Sequence, residues 1–271
     1  MVATWLDLAL GSKITRGLVR IRPGIELAGL SDVGCLRPNN EDSYSYWEPL
    51  RSEQFRQTGR LAIVADGMGG HKGGQEASRI AVETVKKVYA DGSGDNPRDK
   101  LVAGFHAAHQ HIILYGQKHP LLQGLGTTCT AIVLVGKALY FAHIGDSRLY
   151  LLRDSKIKRL TQDHSYVGRL LDHGIIGAAE AAVHPHRNIL LKALGVGTEI
   201  EPDSPEQPLL LQNSDVLLLC TDGLWSVVSE DEMREILASG TLSQACKALV
   251  DKAKEHGGPD NITLQLVRLV E

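Results

Sequence analysis

The chain reads as an α+β fold in which antiparallel sheets pack face to face with helices outside. Three observations predict it. Short apolar segments of strand character occur in separate blocks, segments of helical period lie between and after them, and no repeat, low-complexity tract or linker divides the 271 residues. That length is enough for one large domain or two small ones with a sizeable core.

Taken in order, Ile25 to Gly34 (IELAGLSDVG) reads as a first strand and its exit. A polar loop, CLRPNNED, leads into an alternating strand at Ser43 to Trp47, and Glu48 to Gly59 reads as a polar connection. Leu61 to Ala65 is a short apolar run, hence a buried strand. Ala77, Ile80, Ala81, Val85, Val88 and Tyr89 recur at helical spacing, which predicts a helix over Gln75 to Tyr89. After the break DGSGDNP, Leu101, Phe105, Ala108, Ile112 and Tyr115 predict a second helix, on or beside which His106, His109 and His111 read as solvated residues. Gly126 to Leu160 is a meander of short strands, and Thr161 to Gly197 is irregular. Strands return at Pro208 to Gln212 and Val216 to Thr221. Ser229 and Glu232 form a capping box for a helix to Leu237; Leu242 to Ala253 predicts a last helix, and Ile262 to Val270 a closing strand.

Composition excludes several classes. Aromatics are only 5% and the formal net charge is -3, so neither stacking platforms nor a basic nucleic-acid surface is expected. No apolar run reaches membrane-spanning length, and the N-terminus lacks the pattern of a signal peptide. Cys35, Cys129, Cys220 and Cys246 are isolated, with no zinc or redox spacing and no Arg six residues on, which excludes a thiolate phosphatase loop. This usage fits a reducing, cytoplasmic compartment.

The chemistry lies in acids at strand ends. In LAIVADGMGG the buried strand delivers Asp66 into a glycine-rich turn. A carboxylate is costly to bury without a cation or donors, and Gly67 lets a backbone carbonyl approach the same ion. An ordinary strand with an Asp-Gly hairpin turn is the other reading of this stretch. The pattern recurs, however. Asp146 in AHIGDSR and Asp222 in LLLCTDGLW also follow apolar strands, while Asp260 opens one strand and Glu41 and Asp42 another. Several carboxylates without His or Cys suit Mg²⁺ or Mn²⁺, and a pair of such ions can activate water and clamp a phosphoryl oxygen. Arg37 shares a loop with Glu41 and Asp42, and its planar fork suits a phosphate.

The blocks SDVGCLRPNNED, VADGMGGHKGGQEAS, GLGTT, HIGDSRLYLLRD, LTQDHS, HPHRNILLKALG, LLLCTDGLW and GGPDNIT together resemble the metal-dependent Ser/Thr protein phosphatases of the 2C type, most closely their bacterial branch. They run from about Ile25 to the C-terminus in the family's order. The resemblance implies a central β-sandwich of two antiparallel sheets flanked by helices on both faces, forming one catalytic domain over residues 25–271. Residues 1–24 lie outside it as an extension of unknown role. It further implies that water bridging two Mn²⁺ or Mg²⁺ ions attacks phosphoserine or phosphothreonine directly. Asp66 would bridge the ions, the Gly67 carbonyl would bind the first, and Asp222 and Asp260 the second. Glu41 and Asp42 would hold metal-bound waters, Arg37 the substrate phosphate, and Asp146 with Asp222 a third ion. A flap at about residues 164–185 would cover the site. Its substrates would be phosphoproteins, the targets of a Ser/Thr kinase, with no nucleic-acid partner, and the enzyme would be a cytoplasmic monomer.

Two positions depart from the pattern. Leu125 stands where bacterial relatives carry Met, and Met68 where many eukaryotic relatives carry a His proposed as general acid. The leaving-group proton then comes from elsewhere, with His71 or a metal-bound water as candidates. The rival readings are a degenerate phosphatase fold used as a binding module, which requires a lost acid, and a phosphodiesterase or nuclease, against which the His-free ligand set argues.

Overall fold

A computed structural model describes residues 2–9, 14–70, 72–122 and 124–270. An N-terminal hairpin, β1 (Val2–Ala9) and β2 (Ile14–Ile21), lies alongside β3 (Ile25–Asp32). Then follow β4 (Asp42–Trp47), α1 (Ser52–Thr58), β5 (Arg60–Met68), α2 (Lys72–Asp91) and α3 (Pro97–Lys118). The stretch expected as one meander is β6 (Gly126–Thr127), β7 (Cys129–Val135), β8 (Ala138–Ile144), β9 (Arg148–Arg153) and β10 (Lys156–Arg159), but it is shared between two sheets, β7 pairing with β8 in one and β9 with β10 in the other. Two short helices, α4 (Tyr166–Asp172) and α5 (Ala178–Val183), interrupt the segment that reads as irregular. The chain ends with β11 (Leu209–Leu210), β12 (Val216–Cys220), α6 (Asp222–Trp225), α7 (Glu230–Leu237), α8 (Leu242–Glu255) and β13 (Ile262–Leu269).

The main strands form two antiparallel sheets, in the orders β10-β9-β12-β13-β3 and β11-β8-β7-β5-β4, with β6 pairing the far end of β5. Side-chain alternation explains why β5 and β12 read as continuous apolar runs. Ala62 and Val64 of β5 meet Leu217 and Leu219 of β12 between the sheets. Leu61, Ile63 and Ala65 face the other way, against Ala77, Ala81 and Val85 of α2. Leu218 and Cys220 likewise face Leu249 and Val250 of α8. Both faces of both sheets are therefore buried, and this is the α+β sandwich with helices on each side.

Two local expectations change, and one element is added. The polar connection before β5 contains helix α1, whose Phe55 ring lies under the guanidinium groups of Arg22 and Arg60, 4.8 and 4.7 Å from their central carbons. The N-terminal extension contains a hairpin, β1 paired antiparallel with β2, which the sequence reading does not place. His109 is buried rather than solvated, because its Nδ1 accepts the Gly195 N–H at 3.1 Å. Among the described residues no helix is long and apolar enough to cross a membrane.

Candidate metal centre and active site

The register of the two sheets brings the strand-end acids together. Asp42 lies directly opposite Asp66 in the β4/β5 ladder. The Asp66 backbone is fixed on both sides. Its N–H donates to Thr128 Oγ1 at 2.9 Å, and its carbonyl accepts from Thr127 Oγ1 at 2.7 Å and the Thr128 N–H at 2.9 Å. Gly67 follows where three backbones cross. A Cβ there would lie 2.1 Å from the Gly74 carbonyl oxygen and 2.6 Å from that of Glu41, so only glycine fits. Gly74 is equally confined, since its Cβ would meet Glu41 Oε2 at 2.0 Å.

The Glu41–Asp42 loop is held from the other sheet. The Glu41 N–H donates to Asn261 Oδ1 at 2.8 Å, and Ser78 Oγ donates to the Glu41 carbonyl at 2.6 Å. Thr221 Oγ1, just before Asp222, donates to Asp42 Oδ2 at 2.9 Å. Asp222 starts α6, close enough to Asp66 for its charge to add to burial in holding that carboxyl's proton. Asp146 sits in the turn after β8, entered through Gly145 at φ +105, and is 7% exposed. Its carbonyl accepts the Trp225 indole N–H at 2.9 Å, and Trp225 in turn stacks on Arg148, whose guanidinium carbon is 3.5 Å from the ring centroid. Arg148 is clamped by Asp163 through two hydrogen bonds of 3.0 and 2.6 Å.

Electrostatics single out this cluster. Burial is the main cause that pushes Asp42 up to about 7, with the Thr263 and Thr221 hydroxyls opposing it and Asp222 and Asp260 adding to it. Burial and the charge of Asp260 push Asp222 up to about 6. Asp66 and Asp146 are held well above the carboxylate range, first by burial and then by their acidic neighbours. Asp42 Oδ1 and Asp222 Oδ1 are buried with no hydrogen-bond partner among the described residues. Crowded carboxylates with orphaned oxygens fit a hard divalent cation. The acids gather at one end of the sandwich without closing into a cage. Among the described residues no three His, Cys, Asp or Glu converge tightly enough to hold an ion by themselves.

The remaining expected residues differ in accessibility. Arg37 is half-exposed and donates from Nη2 to Asp260 Oδ2 at 2.6 Å, while Asp260 Oδ1 accepts the Asn261 N–H at 2.8 Å. His71, the candidate proton donor, lies outside the described residues. Thr127, Thr128, Thr221, Asn261 and Trp225, which support the acids, carry no distinct chemistry in the sequence alone. Their signal is small polar or indole groups inside the same motifs as the acids.

A two-sheet sandwich with oxygen donors massed at one end is the architecture of a divalent-metal phosphohydrolase. The family model described as protein phosphatase 2C matches residues 39–253. The serine/threonine phosphatase stp of Listeria monocytogenes is 39% identical over 242 residues, 88% of this chain and 93% of that protein. The serine/threonine protein phosphatase PstP of Mycobacterium tuberculosis is 35% identical over 254 residues, 94% of this chain and 47% of that protein. The crystal structure of PstP/Ppp superposes with a TM-score of 0.81 at 36% identity, covering 92% of this chain and 100% of that one. The PstP catalytic domain in complex with two manganese ions gives 0.79 at 35% identity, covering 92% and 99%. The chain belongs to the protein phosphatase 2C family of metal-dependent serine/threonine phosphatases.

Proposed function

We propose that this cleft removes phosphate from phosphoserine and phosphothreonine in proteins phosphorylated by a Ser/Thr kinase. The observation that carries the reading is the cluster of buried, mutually repelling carboxylates with unpartnered oxygens at Asp42 and Asp222. Asp66, the Gly67 carbonyl, Asp222 and Asp260 would hold two Mn²⁺ or Mg²⁺ ions, and Asp146 with Asp222 would offer a third position. When bound, such ions supply Lewis-acid activation of a water and neutralise charge on the phosphoryl oxygens.

The chain's own groups do the rest. Asp42 and Glu41 orient water by accepting its hydrogen bonds. Arg37, its side chain 51% exposed, leaves Asp260 to grip the substrate phosphate with its two-pronged guanidinium. The segment 164–185 acts as a flap. Its start is tied to the Asp146 loop through His164, whose N–H donates to the Gly145 carbonyl at 2.7 Å and whose Nδ1 accepts the Gly145 N–H at 3.1 Å. Beyond it, Leu194 exchanges two backbone hydrogen bonds with Thr127, beside Asp66. Exposed Ile175 and Val183 give the flap apolar contacts for a polypeptide substrate. We place the enzyme in the cytoplasm as a monomer, with residues 25–271 as one catalytic domain.

The deciding experiment is hydrolysis of a phosphothreonine peptide with Mn²⁺, with EDTA, and by Asp222→Ala with Mn²⁺. Activity that needs the metal and collapses in the variant is expected. A folded, metal-loaded protein inert toward every phosphopeptide would make the chain a binding module instead.

A further inference from the structure

The sequence break DGSGDNP between α2 and α3 takes no part in the phosphatase site, yet it forms the wall of a cavity of about 340 Å³. The cavity lies at the opposite end of β5 from Asp66. Thr58, which lines it, is eight residues before Asp66, roughly 25 Å of extended chain. The side chain that stands out is Lys100, in the first turn of α3. It lines the cavity at 8% exposure, and among the described residues its ammonium forms no hydrogen bond or ion pair. Its close neighbour is the Tyr89 ring, with the ammonium 5.0 Å from the centroid. Tyr89 is locked in place by its hydroxyl, which donates to the Thr58 carbonyl at 2.7 Å.

This arrangement is unfavourable as it stands. Most of the Lys100 side chain is buried, and the cation–π contact with Tyr89 offsets only part of what the partly desolvated ammonium loses in water. Burial accordingly lowers the lysine's affinity for its proton, with Asp95 opposing the shift. The N-terminal end of the 22-residue helix α3, whose Pro97 also lines the cavity, adds positive potential where a lysine is already disfavoured. Asp91, on the rim, is engaged with Lys87 at 2.7 Å. Asp95, also on the rim, does not reach Lys100 as an ion pair. Two sources of positive potential therefore face one cavity; of the two carboxylates that line it, Asp91 is engaged by Lys87 and Asp95 forms no ion pair with Lys100. The 92–94 stretch, Gly-Ser-Gly, presents backbone with little side-chain cover, and Gly94 at φ +112 has open space where a Cβ would stand.

We propose that this cavity binds a small oxyanion, either inorganic phosphate or the phosphate group of a small metabolite, between the Lys100 ammonium, the 92–94 backbone and the N-terminus of α3. It is a second anion site, remote from the catalytic cleft, on an enzyme whose reaction releases phosphate.

Site-resolved amide NMR of the full chain with Mg²⁺ tests it, with inorganic phosphate and phenylphosphonate titrated separately. Saturable shifts at Gly92, Ser93, Gly94 and Lys100 are expected. They persist in Arg37→Ala, weaken about tenfold or more in Lys100→Met, and tighten in Asp95→Asn, which removes a repelling charge. Phosphate alone shifting these amides identifies the free ion as ligand; phenylphosphonate shifting them as well identifies a phosphate group carried on an organic body. Wild-type shifts confined to the Arg37 loop, or shifts at residues 92–100 that Lys100→Met leaves at the same midpoint, would overturn the assignment. The wild-type titration decides even if Lys100→Met fails to fold.

Discussion

Arg37 Nη2 stands 2.6 Å from Asp260 Oδ2, so the arginine expected to hold substrate is paired with an acid expected to hold metal. The pair is partly exposed, 51% and 30%, and an exposed ion pair is a weak tether that a phosphate can replace. Arg37 therefore has two successive partners. Asp260 is its resting one.

It follows that Arg37→Ala weakens substrate binding without weakening metal binding. kcat/KM for a phosphothreonine peptide should fall about 10- to 100-fold, the loss of one charge-assisted, two-pronged contact. The Mn²⁺ concentration for half activity should stay level or drop, because Asp260 loses its competitor. Arg37→Lys should restore only part, since an ammonium cannot make the paired contact. A variant that raises the Mn²⁺ requirement in proportion to its loss of activity would show that Arg37 serves the metal site instead.

How much of this was legible in the sequence depended on the range of the interaction. β5 and β12 could be read because both their faces are apolar, and α2 because Ala77, Ala81 and Val85 form one stripe. Helix α1 could not, for its single large apolar residue, Phe55, is covered by Arg22 and Arg60 rather than by a periodic face. The acids were visible as a recurrent strand-end pattern. Their supports were not. The Glu41 N–H meets Asn261 Oδ1 across 220 positions, and buried His109 finds the donor for its Nδ1 at Gly195, 86 positions away. No local propensity encodes such pairs.

The metal-free protein should lose stability as pH rises. Asp42 at about 7 and Asp222 at about 6 keep protons in the fold that the unfolded chain, near 3.8, has already released. Their favourable contribution is full below pH 3.8 and is lost as pH climbs through 6 and 7. Between pH 6 and 8 Asp42 alone accounts for roughly 1 to 2 kcal/mol. His143 acts in the opposite sense at lower pH. Burial pulls it down to about 4, so its contribution is present above 6.5 and is lost as pH falls toward 4. Melting curves in EDTA should thus decline from pH 6 to 8, and saturating Mn²⁺ should remove the decline. An EDTA profile that is flat or rising over that interval contradicts the crowding of acids.

Trp225→Phe separates the Asp146 loop from the rest of the centre. The ring over Arg148 is kept in kind, while the 2.9 Å indole bond to the Asp146 carbonyl is lost. The expected result is a several-fold higher Mn²⁺ requirement, with kcat at saturating metal changed by less than about threefold. Titration calorimetry with Mn²⁺ should locate the loss in the weakest step. A uniform fall in kcat at every metal concentration would assign Trp225 to packing alone.

Gly67 offers the sharpest steric test. Every atom a new Cβ would strike belongs to backbone, at 2.1 and 2.4 Å in Gly74 and 2.6 Å in Glu41, so no rotamer change relieves the clash. Gly67→Ala must therefore push β5 away from the start of α2 and from the Glu41–Asp42 loop together. A loss of about 3 kcal/mol or more is expected, with weaker metal binding because the displaced groups are those of the centre. Gly70→Ala is the matched control. Gly70 has φ +74 but open space around its Cβ position, so it should cost only the left-handed strain, about 1 to 2 kcal/mol. Urea unfolding of both variants gives the comparison directly. Should Gly67→Ala prove no more costly than Gly70→Ala, the close crossing of three backbones beneath Asp66 would be wrong, and with it the reason that the acid points into the cleft.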